Sequence, residues 1–543
     1  MRKAGRRERG ENLAEPLALR KRPTAEILDA MRHETPSRFD AGASAEPVDT
    51  LLGVPVALAM PLGEVGREVV ALLSCVEEQA PARGYYAAMA EAARRLRGLR
   101  SLHSRSRRFV GDALHNTVRL LRRLRGLAQA AAVDVESGPG AARRGRPGAA
   151  LLYAVWLFEQ LVPAVDSEPR IPPSLAVFLQ QKGLSLPRLQ AARLQRAERL
   201  SRVADLDPDA RIDAIAEALS YPTWLVRRFV DAFGASGPGL DRAVALLRAQ
   251  NERAPLCVRT NRLRATREQA AERLRGEGLT ARLTPIASEG LYLEGHANVY
   301  ATLTFAEGWI ELQDEGSQLI AEACAPPPGG VVVDACAGAG GKTLALGALL
   351  QGRGRLLAID VDRHKIDELL RRARRAGLSN VQALAVPDTW TQDAGASVLP
   401  TWLRGGLADR VLVDAPCSGL GVLRRNPEAR WRLQPGDLTE LAATQLRLLR
   451  GAALLVRPHG RLIYSTCTVL PQENEQVVSA FLAHHPEFQL VPLKEIFGSA
   501  RAQACSDADG VFLRTLPVPG GPDGFFAAIL RRVSTADGPQ GSA

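Results

Sequence analysis

No run of eighteen or more apolar residues occurs in the 543-residue sequence, so no membrane-spanning helix and no membrane partner are expected. Cysteine is scarce and scattered: Cys75, Cys257, Cys324, Cys336, Cys417, Cys467 and Cys505 form no C-x-x-C pair. That odd, unpaired set argues against a disulfide frame and against a zinc site, and leaves reduced thiols available for chemistry. The opening stretch MRKAGRRERGENLAEP lacks the apolar core of a signal peptide, and its acidic residues disfavour a transit peptide. A cytoplasmic protein without a metal is expected. Acidic residues are outnumbered, 59 against 70 Lys and Arg, and the formal net charge of +11 favours an anionic partner, most commonly nucleic acid.

A chain of this length divides into roughly two to four domains, and a 46% apolar share allows sizeable cores. Residues 1–45 are charged and without periodicity, which reads as a mobile tail. Residues 46–235 carry helical periodicity, broken by a Gly-, Pro- and Arg-rich flexible insert at 134–149. Within this region Arg107, Arg108, Arg119, Arg122, Arg123 and Arg125 crowd one helical stretch. A solvated arginine face and an RNA-facing surface are equally compatible with them. Residues 250–305 read as a small α/β module: APLCVRTNRL as a strand, REQAAERLRGEG as a helix ended by glycine, then two short strands. From 306 to 533, strand-like VVVDA, RLLAID, RVLVDAP and GRLIYST alternate with helical segments, which implies a mostly parallel sheet covered on both faces. No internal repeat is evident.

The first of these strands runs into DACAGAGGKT, Asp334 to Thr343. Its ending resembles a P-loop, but the pattern G-x-x-x-x-G-K-[ST] requires glycine where Cys336 stands. A P-loop ATPase is therefore disfavoured. Gly338, Gly340 and Gly341 still allow backbone to approach a ligand, and Asp360 ends the next strand about 20 residues on, where a carboxylate can hold a ribose. The loop reads as a nucleoside site. Two cysteines follow further strands, Cys417 in DAPCSGLGVLRRNP and Cys467 in YSTCTVLPQENE. A strand-end cysteine is usually a small buried hydrophobe, but two beside polar turns point to nucleophilic chemistry.

DACAGAGGKT, DAPCSGLG and YSTCTVLPQENE together resemble the RNA cytosine-5 methyltransferases of the Nol-Nop-Sun family, as do QDEGSQ (Gln313 to Gln318) and DGFFAAILRR (Asp523 to Arg532). The resemblance covers roughly residues 255–532, while SRSRRFVGDALHNTVRLLRRL resembles the NusB-like domain of the family's bacterial small-subunit rRNA enzyme. It implies a Rossmann-like class I methyltransferase sheet, a small α/β RNA-binding subdomain and an all-α NusB-like RNA-binding N-terminal domain in a monomer. It implies S-adenosylmethionine wrapped by Cys336, Ala337, Gly338, Ala339, Gly340, Gly341 and Lys342, with Asp360 on the ribose and Asp414 near both the methyl donor and the base. Gly338-Ala339 stands where Ala-Pro is commoner, and Asp388, in LAVPDTW, is the candidate for the family's acidic residue after the third strand. By the same resemblance Cys467 is the nucleophile and Cys417 assists release, with Asp414 as a positioned acid and Lys342 orienting the base. Arg424 and Arg425 are expected to hold RNA phosphates, and Phe525 and Phe526 either wall the pocket or pack a last strand. The implied substrate is rRNA of the small subunit, with tRNA as the alternative. A non-catalytic RNA-binding ribosome assembly factor is a reading of another class, against which Cys417 and Cys467 both count.

Overall fold

The stretch LLYAVWLFEQL is apolar on every side, and a helix of that kind has to sit at the centre of a bundle. In the computed structural model it forms the helix Ala149–Leu161, buried from Leu152 to Phe158. Trp156 stacks on Tyr153 at 5.7 Å between ring centres and meets Phe109 edge-on at 6.1 Å. Around it pack Glu64–Gly98, kinked at Gly84, and the helices Ser104–Arg119, Leu121–Ala131, Pro173–Gln181 and Leu186–Ser201. The structure describes residues 50–51, 54–55, 63–99, 102–133, 147–162, 171–294, 298–391, 399–403 and 407–533. The tail expected at 1–45 and most of the insert expected at 134–149 lie outside them.

A second helical group, Pro208–Leu219, Thr223–Phe233 and Gly237–Ala249, centres on Ile215, Tyr221, Leu225 and Phe229. The same core runs on into Leu420, Leu423, Val469 and Leu470, which follow the two cysteine turns. The arginines of the basic helical stretch form neither a solvated face nor an open basic surface. Arg119 donates to the Arg424 carbonyl at 2.9 Å, Arg122 to the Tyr221 carbonyl at 2.8 Å, and Arg123 and Arg125 pair with Glu159 and Glu77. Buried carbonyls and carboxylates at helix junctions need donors, and long guanidinium groups supply several at once.

The small module is an antiparallel sheet of β1 (Leu256–Thr260), β2 (Ala281–Leu283), β3 (Gly290–Leu293) and β4 (Ile310–Leu312), in the order β2-β3-β1-β4. Its helix Arg267–Gly276 starts at a reciprocal cap between Thr266 and Gln269. Strand β4 lies beyond the 250–305 segment read from sequence. Three residues carry too little alternation to announce a strand, and their partner β1 is about fifty positions away in the chain.

The large sheet contains β5 (Val331–Asp334), β6 (Arg355–Asp360), β7 (Val381–Ala385), β8 (Ala408–Asp414), β9 (Val456–Thr466), β10 (Phe488–Leu490), β11 (Leu513–Thr515) and β12 (Phe525–Arg532). The order is β10-β12-β9-β8-β5-β6-β7, with β11 also paired to β12. Strands β5 to β9 run parallel, and β10, β11 and β12 pair antiparallel. The near-continuous apolar runs VVVD and RVLVD are buried because helices cover both faces, as parallel sheets require. Among the described residues no helix is long and apolar enough to cross a membrane.

Candidate active site

The chain leaves β5 for β6 and β7, then returns to lay β8 on the other side of β5. At such a reversal the loops beyond adjacent strand ends diverge and leave a crevice. Asp334 ends β5, Asp414 ends β8, and Ser465 of β9 lies in register with Asp414. A cavity of about 510 Å³ opens here, walled by the glycine loop, Lys342, Asp334, Asp414, Arg372, Arg425 and Phe525, with Gln313, Asp314 and Ser317 opposite.

The loop owes its shape to two left-handed glycines, Gly338 with φ 53° and Gly340 with φ 89°. A Cβ at Gly340 would stand 2.6 Å from Leu369 Cγ, so this glycine serves packing against the helix Arg363–Ala376. At Gly341 the nearest atom to a Cβ would be Gln313 Nε2 at 4.0 Å, so the space above it is free for a ligand. The Asp360 carboxylate stands behind the loop, accepting from the Gly338 N–H at 2.8 Å and the Asp362 N–H at 2.9 Å. Its oxygens keep further lone pairs.

Electrostatics concentrate on the two strand-end aspartates. Lys342 Nζ lies 2.6 Å from Asp414 Oδ2, and Ser465 Oγ donates to Asp414 Oδ1 at 3.0 Å. Burial works against the Lys342 charge, but Asp414 outweighs it and holds the ammonium above its ordinary pKa. Burial pushes Asp334 up to about 7, partly offset by a 2.7 Å hydrogen bond from the Thr343 hydroxyl. Asp334 Oδ1 is buried without a partner. S-adenosylmethionine carries a sulfonium and an amino group, both cationic. An unpartnered carboxylate oxygen, a second aspartate and the open space above Gly341 fit that ligand.

Beyond Asp414 the two cysteine turns meet, with Cys417 Sγ 3.3 Å from Cys467 Sγ and the Cys467 N–H donating to Cys417 Sγ at 3.3 Å. The hydrogen bond with Cys467, then burial, raise the Cys417 thiol well above its ordinary pKa. Glu473, fully buried, holds the Cys417 turn by accepting from the Ser418 N–H at 2.9 Å and the Ser418 hydroxyl at 2.5 Å. Gly421 ties the turns together: its N–H donates to the Cys467 carbonyl at 2.9 Å and its carbonyl accepts from Gly524.

Strand order, switch-point cavity and glycine loop together are those of a methyltransferase that uses S-adenosylmethionine. The family description "16S rRNA methyltransferase RsmB/F" matches residues 321–531, and a companion description, an RsmF/B-like ferredoxin-like domain, matches residues 221–300. The chain is 33% identical over 328 residues to "Probable ribosomal RNA small subunit methyltransferase B" of Bacillus subtilis (strain 168), covering 60% of this chain and 69% of that protein. It is 30% identical over 356 residues to ribosomal RNA small subunit methyltransferase B of Yersinia pseudotuberculosis serotype O:1b, covering 65% and 73%. The crystal structure of PH0851 superposes with a TM-score of 0.61 at 25% identity, over 86% of this chain and 98% of that one. That of a methyltransferase homolog protein from Pyrococcus horikoshii gives a TM-score of 0.50 at 27% identity, over 60% and 100%. The chain belongs to the RsmB/F family of RNA methyltransferases, and the P-loop ATPase and non-catalytic readings fall with that membership.

The geometry gathers Cys336, Ala337, Gly338, Ala339, Gly341, Lys342 and Asp414 on the cavity wall, while Gly340 and Asp360 back the loop. One expectation is corrected, and two residues sit in surroundings that the sequence did not announce. Arg424, expected on a phosphate, has a fully buried side chain that pairs with Asp523 at 2.7 Å and donates to the carbonyls of Val518, Gly521 and Pro522. Arg425 does reach the cavity, but Asp523 and Asp314, at 2.5 and 2.9 Å, already balance its charge. Asp388 is exposed and pairs with Arg447 at 3.4 Å, away from the cavity wall, because the chain turns into a short helical segment Asp388–Thr391 directly after β7. Phe525 walls the cavity with Lys342 Nζ 5.6 Å from its ring centre, whereas Phe526 packs inward on Phe512 and Tyr464. Sequence reasoning missed Asp314, Asp523, Arg372 and Glu473 as site residues. Asp314 and Asp523 stand inside two of the quoted motifs, but 209 positions separate them, so no spacing could pair them. Burial and the neighbouring Asp523 raise Asp314 to about 6, against the pull of Arg425.

Two measurements probe this arrangement. Arg424→Ala leaves Asp523 buried with one guanidinium fewer, and should cost about 3–5 kcal/mol, read from the urea unfolding midpoint. For Asp334 the folded-state pKa lies above the unfolded value, so its contribution to stability falls as pH rises from 3.8 to about 7. Asp334→Asn should flatten the pH dependence of unfolding over that window.

Proposed function

We propose that this protein forms 5-methylcytosine in small-subunit rRNA through a covalent adduct between Cys467 and carbon 6 of the target base. The observation that carries the reading is the 3.3 Å cysteine pair beside the Lys342–Asp414 ion pair. Carbon 5 of cytosine is a weak nucleophile. A thiolate added at carbon 6 makes carbon 5 enamine-like and splits one difficult step into easier ones. Cys417, its thiol pKa raised by the Cys467 contact and by burial, stays protonated 3.3 Å from the attacking sulfur of Cys467. Asp414, held between Lys342 and Ser465, faces the base near N3 and the exocyclic amine, where the Asp414–Lys342 pair favours the charge distribution of the adduct. Bound S-adenosylmethionine supplies an electrophilic methyl group, with Cys336 to Lys342 cradling it and Asp360 on its ribose. Water then takes the carbon 5 proton, the electron pair of that C–H bond re-forms the 5,6 double bond, and the carbon 6–sulfur bond breaks so that Cys467 leaves as a thiolate beside the Cys417 S–H.

The target base has to leave any stack to reach this pocket, so the RNA is single-stranded or locally opened. Burial of Arg424 and neutralisation of Arg425 shift phosphate contacts elsewhere. A second cavity of about 450 Å³ on the small module is edged by Arg262, Arg264 and Arg267; Glu289 and Glu268 lie 3.7 and 3.8 Å from Arg262 and Arg267, which leaves Arg264 as the better candidate there for a phosphate. Homologues named as small-subunit rRNA enzymes favour rRNA over tRNA. The NusB-like N-terminal region, a monomeric state and a cytoplasmic location complete the reading, and seven unbridged cysteines accord with a reducing compartment.

Cys467→Ala should lose at least about a thousandfold in methyl transfer from labelled S-adenosylmethionine, the scale on which removal of a covalent nucleophile acts; full retained activity would sink the mechanism. Cys417→Ala should accumulate a protein–RNA adduct that survives denaturing electrophoresis. Bisulfite sequencing of rRNA from a deletion strain and its parent tests the substrate.

A further inference from the structure

We propose that Arg372 is a positioning residue for the methyl-donor loop, and that it anchors the loop to the small α/β module. The inference rests on donor binding and is independent of the cysteine chemistry. The loop from Cys336 to Gly341 bends through two left-handed glycines, and between them stands Ala339, which has no ring to restrict its backbone. Arg372 Nη1 donates to the Ala339 carbonyl at 2.6 Å, holding the loop at its apex. The same side chain lines the cavity.

What holds Arg372 comes from another part of the protein. Its Nη2 lies 3.1 Å from Glu311 Oε2, and Arg375 pairs with the other oxygen of that carboxylate. Glu311 sits on β4 directly opposite Arg259 of β1 and is 3% exposed. Arg259 Nε in turn donates to Gln313 Oε1 at 2.6 Å, and Gln313 faces the cavity. A buried carboxylate among three guanidinium groups is a rigid anchor, because removing any partner leaves charge unbalanced in a poorly solvated place. A guanidinium can bridge Glu311 and the loop carbonyl at once; an ammonium, a point charge on a flexible stem, holds the two partners less rigidly. The loop is thus fixed by the relative placement of β4 and the helix Arg363–Ala376. Any load that moves the small module also moves the donor site, and the coupling is reciprocal.

The test is calorimetric binding of S-adenosylhomocysteine to the full chain, with thermal melting of the unliganded protein alongside. Arg372→Ala should bind about tenfold more weakly, equivalent to ~1.4 kcal/mol, and Arg372→Lys should recover part of the loss. Glu311→Gln should also weaken binding, although Glu311 does not line the cavity. In turnover, KM for S-adenosylmethionine should rise with kcat changed less than about twofold, the mark of lost ground-state binding. Wild-type affinity in both Arg372→Ala and Glu311→Gln would overturn the proposal. So would a binding loss matched by a comparable fall in melting temperature, which would mean general destabilisation. If Arg372→Ala does not fold, Glu311→Gln decides by the same criteria.

Discussion

The Arg424–Asp523 pair, both side chains fully buried, is the interaction on which the active site's geometry depends. Burying two charges costs several kcal/mol each unless the surroundings supply hydrogen bonds in full. Here Asp523 and three backbone carbonyls take four of the guanidinium's five N–H groups, and Arg425 shares the aspartate. The result clamps the segment after Cys417 to the turn before β12. Since the Gly524 N–H donates to the Gly421 carbonyl and the Gly421 N–H donates to the Cys467 carbonyl in the same place, the Cys467 turn is held by the same clamp. Two cysteines 50 positions apart reach 3.3 Å because this buried pair permits little slack.

The helical half of the chain belongs to this scaffold. Arg119 donates to the carbonyl of Arg424 itself, Trp431 Nε1 donates to the Val118 carbonyl at 2.7 Å, and fully buried Arg430 reaches Asn251 at 2.7 Å. Leu420 and Leu470 share a core with Tyr221 and Phe229. The backbone supporting both cysteines is therefore packed on one side by the large sheet and on the other by the second helical group. Charge is arranged with the same economy. Lys342 contacts Asp414 and Arg425 meets Asp314 and Asp523, whereas Arg372 shares the single carboxylate of Glu311 with Arg375. The aspartates on the cavity wall, Asp314, Asp334, Asp414 and Asp523, are what suit it to a cationic ligand.

Much of the fold was legible in the sequence because its signals are local. VVVDA and RVLVDAP are apolar over lengths that fit a strand buried on both faces, and the glycines of DACAGAGGKT mark a turn between strand and helix. The missing first glycine at Cys336 was enough to set aside a P-loop by simple counting. Arg424 shows where local reading ends. Its place after a cysteine turn suggests a phosphate ligand, yet its partner Asp523 is 99 positions away and no periodicity reports on it. Asp388 makes the same point: a short helical segment begins at it directly after β7, and its carboxylate meets Arg447, 59 positions further on.

The sequence by itself determined the sheet-and-helix alternation, the nucleoside character of the glycine loop and the presence of two cysteines at strand ends, since each depends on residue type and short spacing. Only the tertiary structure decided which charges face the cavity and which are buried in its frame. A guanidinium looks the same in a sequence whether it meets water, a phosphate or a buried carboxylate, and the choice is made by backbone brought together from distant parts of the chain.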